Sequence, residues 1–228
     1  MPAPILSLLA GIIVFSKTFH NLDQRKQNRI FRVAVTEFSQ YGFAKASINR
    51  MVENLGIAKG SVFQYFGDKE GLFTFVFSRA VTMVKAFLKQ ARDESKGQDF
   101  FTRLETILIS GVDFIRHHPK IYALYAKIQF EGNLSFCSRL LASLRGESYG
   151  FIAGLIEAGI EKGELRPDLD VRKTAFLLDA VLDRFLQACV VEHLDAGQGL
   201  LHADNEALLQ WARTVVDLVR SGVAKEGD

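Results

Sequence analysis

The 228 residues carry 28 Lys and Arg against 26 Asp and Glu, a net charge of +2, and that total points to no strongly charged partner. Hydrophobic residues make up 48% and charged residues 24%, which excludes a disordered chain; four Pro and eighteen Gly exclude a collagen-like or linker-rich one. Nineteen residues are Phe, a side chain that buries large area without needing a polar partner.

At the amino terminus, Ile5–Phe15 is apolar apart from Ser7 and Gly11. As a helix it would rise only about 16 Å, against about 30 Å of hydrocarbon in a bilayer, so it cannot span one. It lacks the leading Lys or Arg of a signal peptide. Residues 1–22 are therefore an extension with three readings: a start placed too early, with residues 1–13 absent from the mature protein, a helix docked on the body, or a membrane-surface anchor.

Period 3.6 dominates from there on and predicts an all-α fold. Gln24–Tyr41 carries Ile30, Ala34, Phe38 and Tyr41 on one face and stops at Gly42. Ser47 is a natural N-cap for a short helix with Met51, Val52 and Leu55, closed by Gly56. Ala58–Tyr65 is a further short helix. Asp68 caps a long one from Lys69 to about Asp93. Phe100–His117 follows, then a helix opened by Pro119, where the missing N–H costs nothing. Leu134–Lys162 stops at Gly163, Val171–Leu194 at a loop, and Asn205–Val223 is last, about nine helices in all.

Charge is uneven along this string. Residues 23–72 hold eight Lys/Arg and five Asp/Glu, while 73–228 hold nineteen and twenty-one. A locally basic amino-terminal third fits a nucleic-acid partner. Within it, two short helices joined by a tight turn at Gly56 have the helix-turn-helix layout, residues 47–66. In such a unit the second helix enters the major groove. Its expected exposed groups are Lys59, Ser61, Gln64 and Tyr65. Lys suits guanine acceptors or phosphate, Gln pairs bidentately with adenine, and Ser and Tyr hydroxyls reach phosphate. Gly60 lets the backbone approach the duplex. Tyr65 reads equally well as core and Phe66 is assigned to it, while Arg25, Lys26, Arg29 and Arg32 read as phosphate contacts or, for most of them, a solvated helix face.

Phe38–Leu72 reads FSQYGFAKASINRMVENLGIAKGSVFQYFGDKEGL. Phe38-x-x-x-Gly42, Ser47, Leu55-Gly56-Ile57, Lys59-Gly60-Ser61, Phe63-x-Tyr65-Phe66, Lys69-Glu70 and Leu72 together resemble the DNA-binding domain of TetR-family (TetR/AcrR-like) transcriptional regulators. Ser16-Lys17-Thr18-Phe19 resembles the start of many of them. The resemblance covers about a third of the chain. It implies a homodimer on a palindromic operator of double-stranded DNA, recognition by Ala58–Tyr65, and phosphate binding by Lys69, with Ser47 among the DNA-binding residues. Ile48 stands where many members have Thr, and Phe63 where Tyr is common. A phosphate contact is lost at Phe63, and packing is the expected role. The DNA-binding domain is placed at 24–84 and a helical ligand-binding and dimerisation domain at 85–228.

For that second domain the resemblance implies an effector pocket and dimerisation through helices near 171–194 and 205–223. Leu177, Leu178, Val181, Phe185, Leu208, Leu209, Ala212, Val216 and Val219 exceed what one helix face needs, which marks an interface. The pocket candidates are Phe101, Phe114, His117, Tyr122, Tyr125, Gln129 and Phe151, with Phe100, Phe130, Phe136, Tyr149, His118 and Arg139 in the same wider set; any one of the aromatics taken alone reads better as core. A small apolar ligand is expected. Asp179 and Asp183, one turn apart beside Arg184, suggest an intersubunit ion pair.

Cys137 and Cys189 form no C-x-x-C, and the five His form no metal-spaced set, so buried thiols, no metal and no cofactor are expected. Phosphate-loop, dinucleotide, zinc-protease and nucleophile-elbow motifs are absent, and no enzyme is expected. The sequence thus predicts a cytoplasmic repressor released by a small apolar ligand. The alternatives are a constitutive or partner-dependent regulator without an effector, and a membrane-anchored one.

Overall fold

The computed structural model describes residues 16–130 and 135–224. The apolar stretch Ile5–Phe15 lies outside the described residues, as do the side chains of Phe130, Phe136, Cys137 and Arg139. The helices are α1 (Lys17–His20), α2 (Gln24–Lys45), α3 (Ile48–Leu55), α4 (Lys59–Phe66), α5 (Lys69–Glu94), α6 (Phe100–His117), α7 (Pro119–Phe130), α8 (Ser135–Glu161), α9 (Val171–Ala188) and α10 (Asn205–Val223). A 3₁₀ turn spans Leu200–His202, and the described residues contain no strand. The fold is all-α.

Side-chain caps fix most of the starts. Ser16, Asp23, Ser47, Asp99, Asp170 and Asp204 each accept a backbone N–H at their helix start. Asp68 does the same for α5 through Gly71 N–H at 2.8 Å. Two expected boundaries move. The first helix runs on to Lys45 but breaks at Gly42, with φ 68° and ψ 178°. The expected helix 171–194 ends at Ala188, because the chain tightens into turns after Cys189 and His193 takes a φ of 71°. Cys189 is buried, its thiol donates to Phe185 O at 3.3 Å, and burial pushes its pKa up to about 11.

The chain forms two compact units. One comprises residues up to Met83 together with Ala123–Glu131; the other comprises Val84–Tyr122 and Gly132 onward. The expected division was a single cut between 84 and 85, whereas here a second segment joins the first unit. Among the described residues α5 alone is long and apolar enough to cross a membrane. Leu72, Phe73, Phe75, Val76 and Phe77 on it are buried in protein instead.

The first unit has an aromatic core. Phe19 from α1 packs on Phe66 at 4.8 Å and Phe75 at 4.9 Å, and Phe38 meets Phe73 edge-on at 4.9 Å. In the second unit α9 packs on α8, and α10 on α6. One cluster there gathers Phe100, Phe101, Leu104, Ile152, Ile156, Leu165, Leu178 and Val216. Another gathers Leu108, Val112, Phe185, Leu208 and Ala212.

Candidate nucleic-acid interface

The helix-turn-helix is built from α3 and α4. Gly56 closes α3 with φ 63° and ψ 36°, the left-handed geometry in which glycine meets no Cβ penalty. Ser47 caps α3 as expected, its hydroxyl accepting from Arg50 N–H at 3.4 Å. Glu37, buried on α2, ties this unit to the helix before it. Its carboxylate accepts from Ser47 N–H at 2.8 Å and from Arg50 Nε at 2.9 Å, with a second bond from the same guanidinium. That guanidinium also lies 4.2 Å over the Tyr41 ring, and its pKa is raised by the hydrogen bond and charge of Glu37. The sequence held a signal for Glu37: it falls on the same face as Ala34, Phe38 and Tyr41, where a carboxylate needs a partner.

A second tie comes from Arg29, expected to be solvated, which donates to Asn54 O at 3.2 Å. Arg25, Lys26 and Arg32 are exposed. At the other end of α4, Ser16 N–H donates to Tyr65 O at 3.2 Å.

On α4 the outward stripe is Lys59, Gly60, Phe63 and Gln64, all exposed, with Ser61 half-buried at its edge. Val62, Tyr65 and Phe66 form the inner face. Two expectations reverse here. Tyr65 was expected to be exposed but is only 7% exposed, packed against Phe19 and Phe66. Phe63 was expected to pack but is 43% exposed. Four of the eight residues in α4 are apolar, and the short period does not say which flank faces in. The core supplied by Phe19 and Phe75 decides it.

α4 also starts on Ala58, which supplies no side-chain cap. Ser61 N–H bonds back to Ala58 O at 3.0 Å, and no side chain caps the turn that holds Lys59 and Gly60, an arrangement that suits an anion. Lys69, at the start of α5, donates to Ala44 O at 3.1 Å and lies 4.9 Å over the Phe43 ring. That anchoring holds its charge next to the turn before α3.

Residues 30–75 match the family model described as bacterial regulatory proteins, tetR family. A solved TetR-family transcriptional regulator from Chloroflexus aurantiacus J-10-FL is 28% identical, with a TM-score of 0.75 over 93% of this chain and all of its own. The HTH-type transcriptional repressor NicS of Pseudomonas putida is 26% identical over 88% of this chain and 93% of its own length.

Residues 30–75 are a tetR-family DNA-binding segment.

A further relative, the fatty acid metabolism regulator protein of Bacillus subtilis, is 19% identical over 87% of this chain and 95% of its own. The similarity to these proteins runs beyond the helix-turn-helix into the second unit.

The residues expected to line an effector pocket have different surroundings. Phe101 is core, with Arg220 stacked 4.1 Å over its ring, and Phe151 packs against the same cluster. Phe114 packs on Phe87 at 5.4 Å and on His118 at 4.8 Å. His117 is exposed and turned back to Asp113 at 3.2 Å. Tyr122 is buried, while Tyr125 and Gln129 belong to the first unit. Burying phenyl area in close-packed core outweighs leaving it around an open space.

An open groove of about 670 Å³ lies elsewhere, lined by Arg145, Tyr149, Phe176, Asp179, Asp183 and Gln187 among others. Asp179 and Asp183 were expected to pair across subunits beside Arg184. Instead both accept from Arg145 of the same chain, Asp179 at 3.3 Å. Ser148 donates to Asp179 at 2.7 Å and Gln187 to Asp183 at 2.7 Å. One helical turn between the two Asp lets a single guanidinium fork across both. Among the described residues no group of three His, Cys, Asp or Glu could hold a metal ion.

Of the expected interface residues, Leu178, Phe185, Leu208, Ala212 and Val216 are core. Leu177 and Val181 are exposed, and Phe176 and Leu218 join them at 65% and 71% exposure.

Proposed function

We propose that the protein is a homodimeric repressor that reads a palindromic operator with α4 and is released by a small apolar ligand. The stripe of Lys59, Gly60, Phe63 and Gln64 on an uncapped helix carries this reading. It offers cation, open backbone, ring and amide to a major groove, with Ser47, Ser61 and Lys69 at its margin for phosphate. The exposed Phe176, Leu177, Val181 and Leu218 support dimerisation through α9 and α10, since such apolar area on a surface marks an interface.

The groove beside Tyr149 and Phe176 is the candidate effector site, and of the aromatic set read from sequence it keeps Tyr149. A relative named for fatty acid metabolism supports an apolar ligand. Release requires that the ligand bind the DNA-free state more tightly than the operator-bound state. A shift of α5, which continues directly from the turn after α4, would move recognition helices away from half-sites about 34–36 Å apart. The second reading is a regulator without a small-molecule effector. It is favoured by the packing of Phe101, Phe114 and Phe151.

Fluorescence anisotropy with the DNA upstream of this chain's gene, a scrambled duplex and a salt series tests the proposal. Sequence-dependent binding whose logarithm falls linearly with log salt is expected. Equal weak binding to both duplexes, or none, rejects it for this DNA. Adding medium-chain fatty acids to the bound complex then separates the two readings: release supports the first, and undisturbed affinity supports the second.

A further inference from the structure

We infer that Phe63 reads the C5-methyl group of a thymine in the major groove, and so sets part of the operator sequence. The inference rests on the DNA-binding reading above and adds a base contact to it.

A phenyl ring 43% exposed in the middle of the outward stripe of α4 has no place in the core. It takes no part in the ring contacts that join Phe19, Tyr65, Phe66 and Phe75. One turn before it stands Lys59, and beside it Gln64, both exposed. A ring carries no donor or acceptor, which rules out pairing with a base edge or a phosphate oxygen. The thymine methyl is the apolar group that the major groove displays, and a Phe side chain matches it. Gly60, next to Lys59, leaves the helix surface open: a Cβ placed there would meet nothing of this chain within 4 Å. The helix can then approach the base edges closely enough for a ring four residues long of its start to touch a methyl. Gln64 beside it suits adenine, so the two neighbours together favour steps made of A·T pairs.

The test starts with duplexes enriched by the full chain from a random-sequence pool. Each thymine of the enriched site is replaced in turn by deoxyuridine, in both half-sites together, which removes one methyl and leaves pairing intact. The wild-type chain is expected to lose roughly four-fold in affinity per half-site at one position, the worth of one buried methyl-sized group. F63A and F63S should bind the dT and dU duplexes alike, and F63L should keep part of the discrimination. Helical content by circular dichroism confirms that each variant is folded. The inference is overturned if no thymine position responds, if F63A keeps the methyl discrimination, or if F63A weakens every duplex uniformly, as a ring against sugar and phosphate would. If no duplex is enriched at all, the DNA-binding reading falls as well, which separates the two failures.

Discussion

Glu37 brings a carboxylate to the apolar side of α2 and finds there one backbone N–H and the forked guanidinium of Arg50. The pair holds the start of α3 in place, and removing Arg50 leaves the buried Glu37 carboxylate undersatisfied. Arg50→Met is expected to lower the urea midpoint of unfolding, because the buried Glu37 carboxylate loses its charged partner. Adding Glu37→Gln should restore part of the loss, because two neutral groups need less compensation. Gly60 poses the opposite case. Nothing in this chain crowds its missing side chain, and an exposed helical glycine costs about 0.5–1 kcal/mol relative to alanine. Gly60→Ala should therefore raise the midpoint of thermal unfolding while weakening operator binding in the anisotropy assay. A gain in both would reject a close approach of DNA at that point.

Among the elements, α1 is the smallest and bears much weight. Phe19 is almost fully buried against Tyr65, Phe66 and Phe75, and Ser16 bonds to the Tyr65 carbonyl. Phe19→Ala is expected to cost about 3–5 kcal/mol, the range for truncating a buried Phe, and to expose α4 to protease before the rest of the chain. Helix positions were legible in the sequence because caps and stops are local: Ser47, Asp68, Pro119 and Gly163 each act within a turn of their own residue. Facing was less legible. Phe63 and Tyr65 differ only in which flank the rings of Phe19 and Phe75 cover, and those rings come from other helices. The packing of Phe101 and Phe151 was no more legible, since composition gives apolar area but not whether a neighbour fills it. The Arg145 fork on Asp179 and Asp183 was half visible. The two Asp at one-turn spacing could be read, but their partner stands on another helix.

At the scale of the molecule, apolar residues left over after folding decide association. Leu177 and Val181 lie one turn apart on α9, and Leu218 projects from α10. Leu177→Glu with Val181→Glu should shift sedimentation from dimer to monomer, while far-ultraviolet circular dichroism stays unchanged because both side chains are exposed. Operator affinity should fall by about 10²–10⁴, the loss expected when two linked contacts become one. A monomeric wild-type chain would reject the interface outright. Denying this surface its partner leaves the internal clusters around Ile156 and Leu208 intact, so a folded monomer is the expected product.

The fit between α4 and α5 has a consequence for how such a protein can acquire new targets. A methyl on Gly71 would fall 2.0 Å from the Phe66 carbonyl oxygen, and the outgoing end of α4 therefore has no slack. Its inner face is equally committed through Val62, Tyr65 and Phe66. Transplanting all of 59–66 from another protein would break these seams. The interchangeable letters are residues 59, 60, 61, 63 and 64, a short alphabet mounted on an inflexible frame. Retargeting by exchange at those five positions, with Tyr65, Phe66 and Gly71 retained, is the route by which the address could change while the reader stays the same.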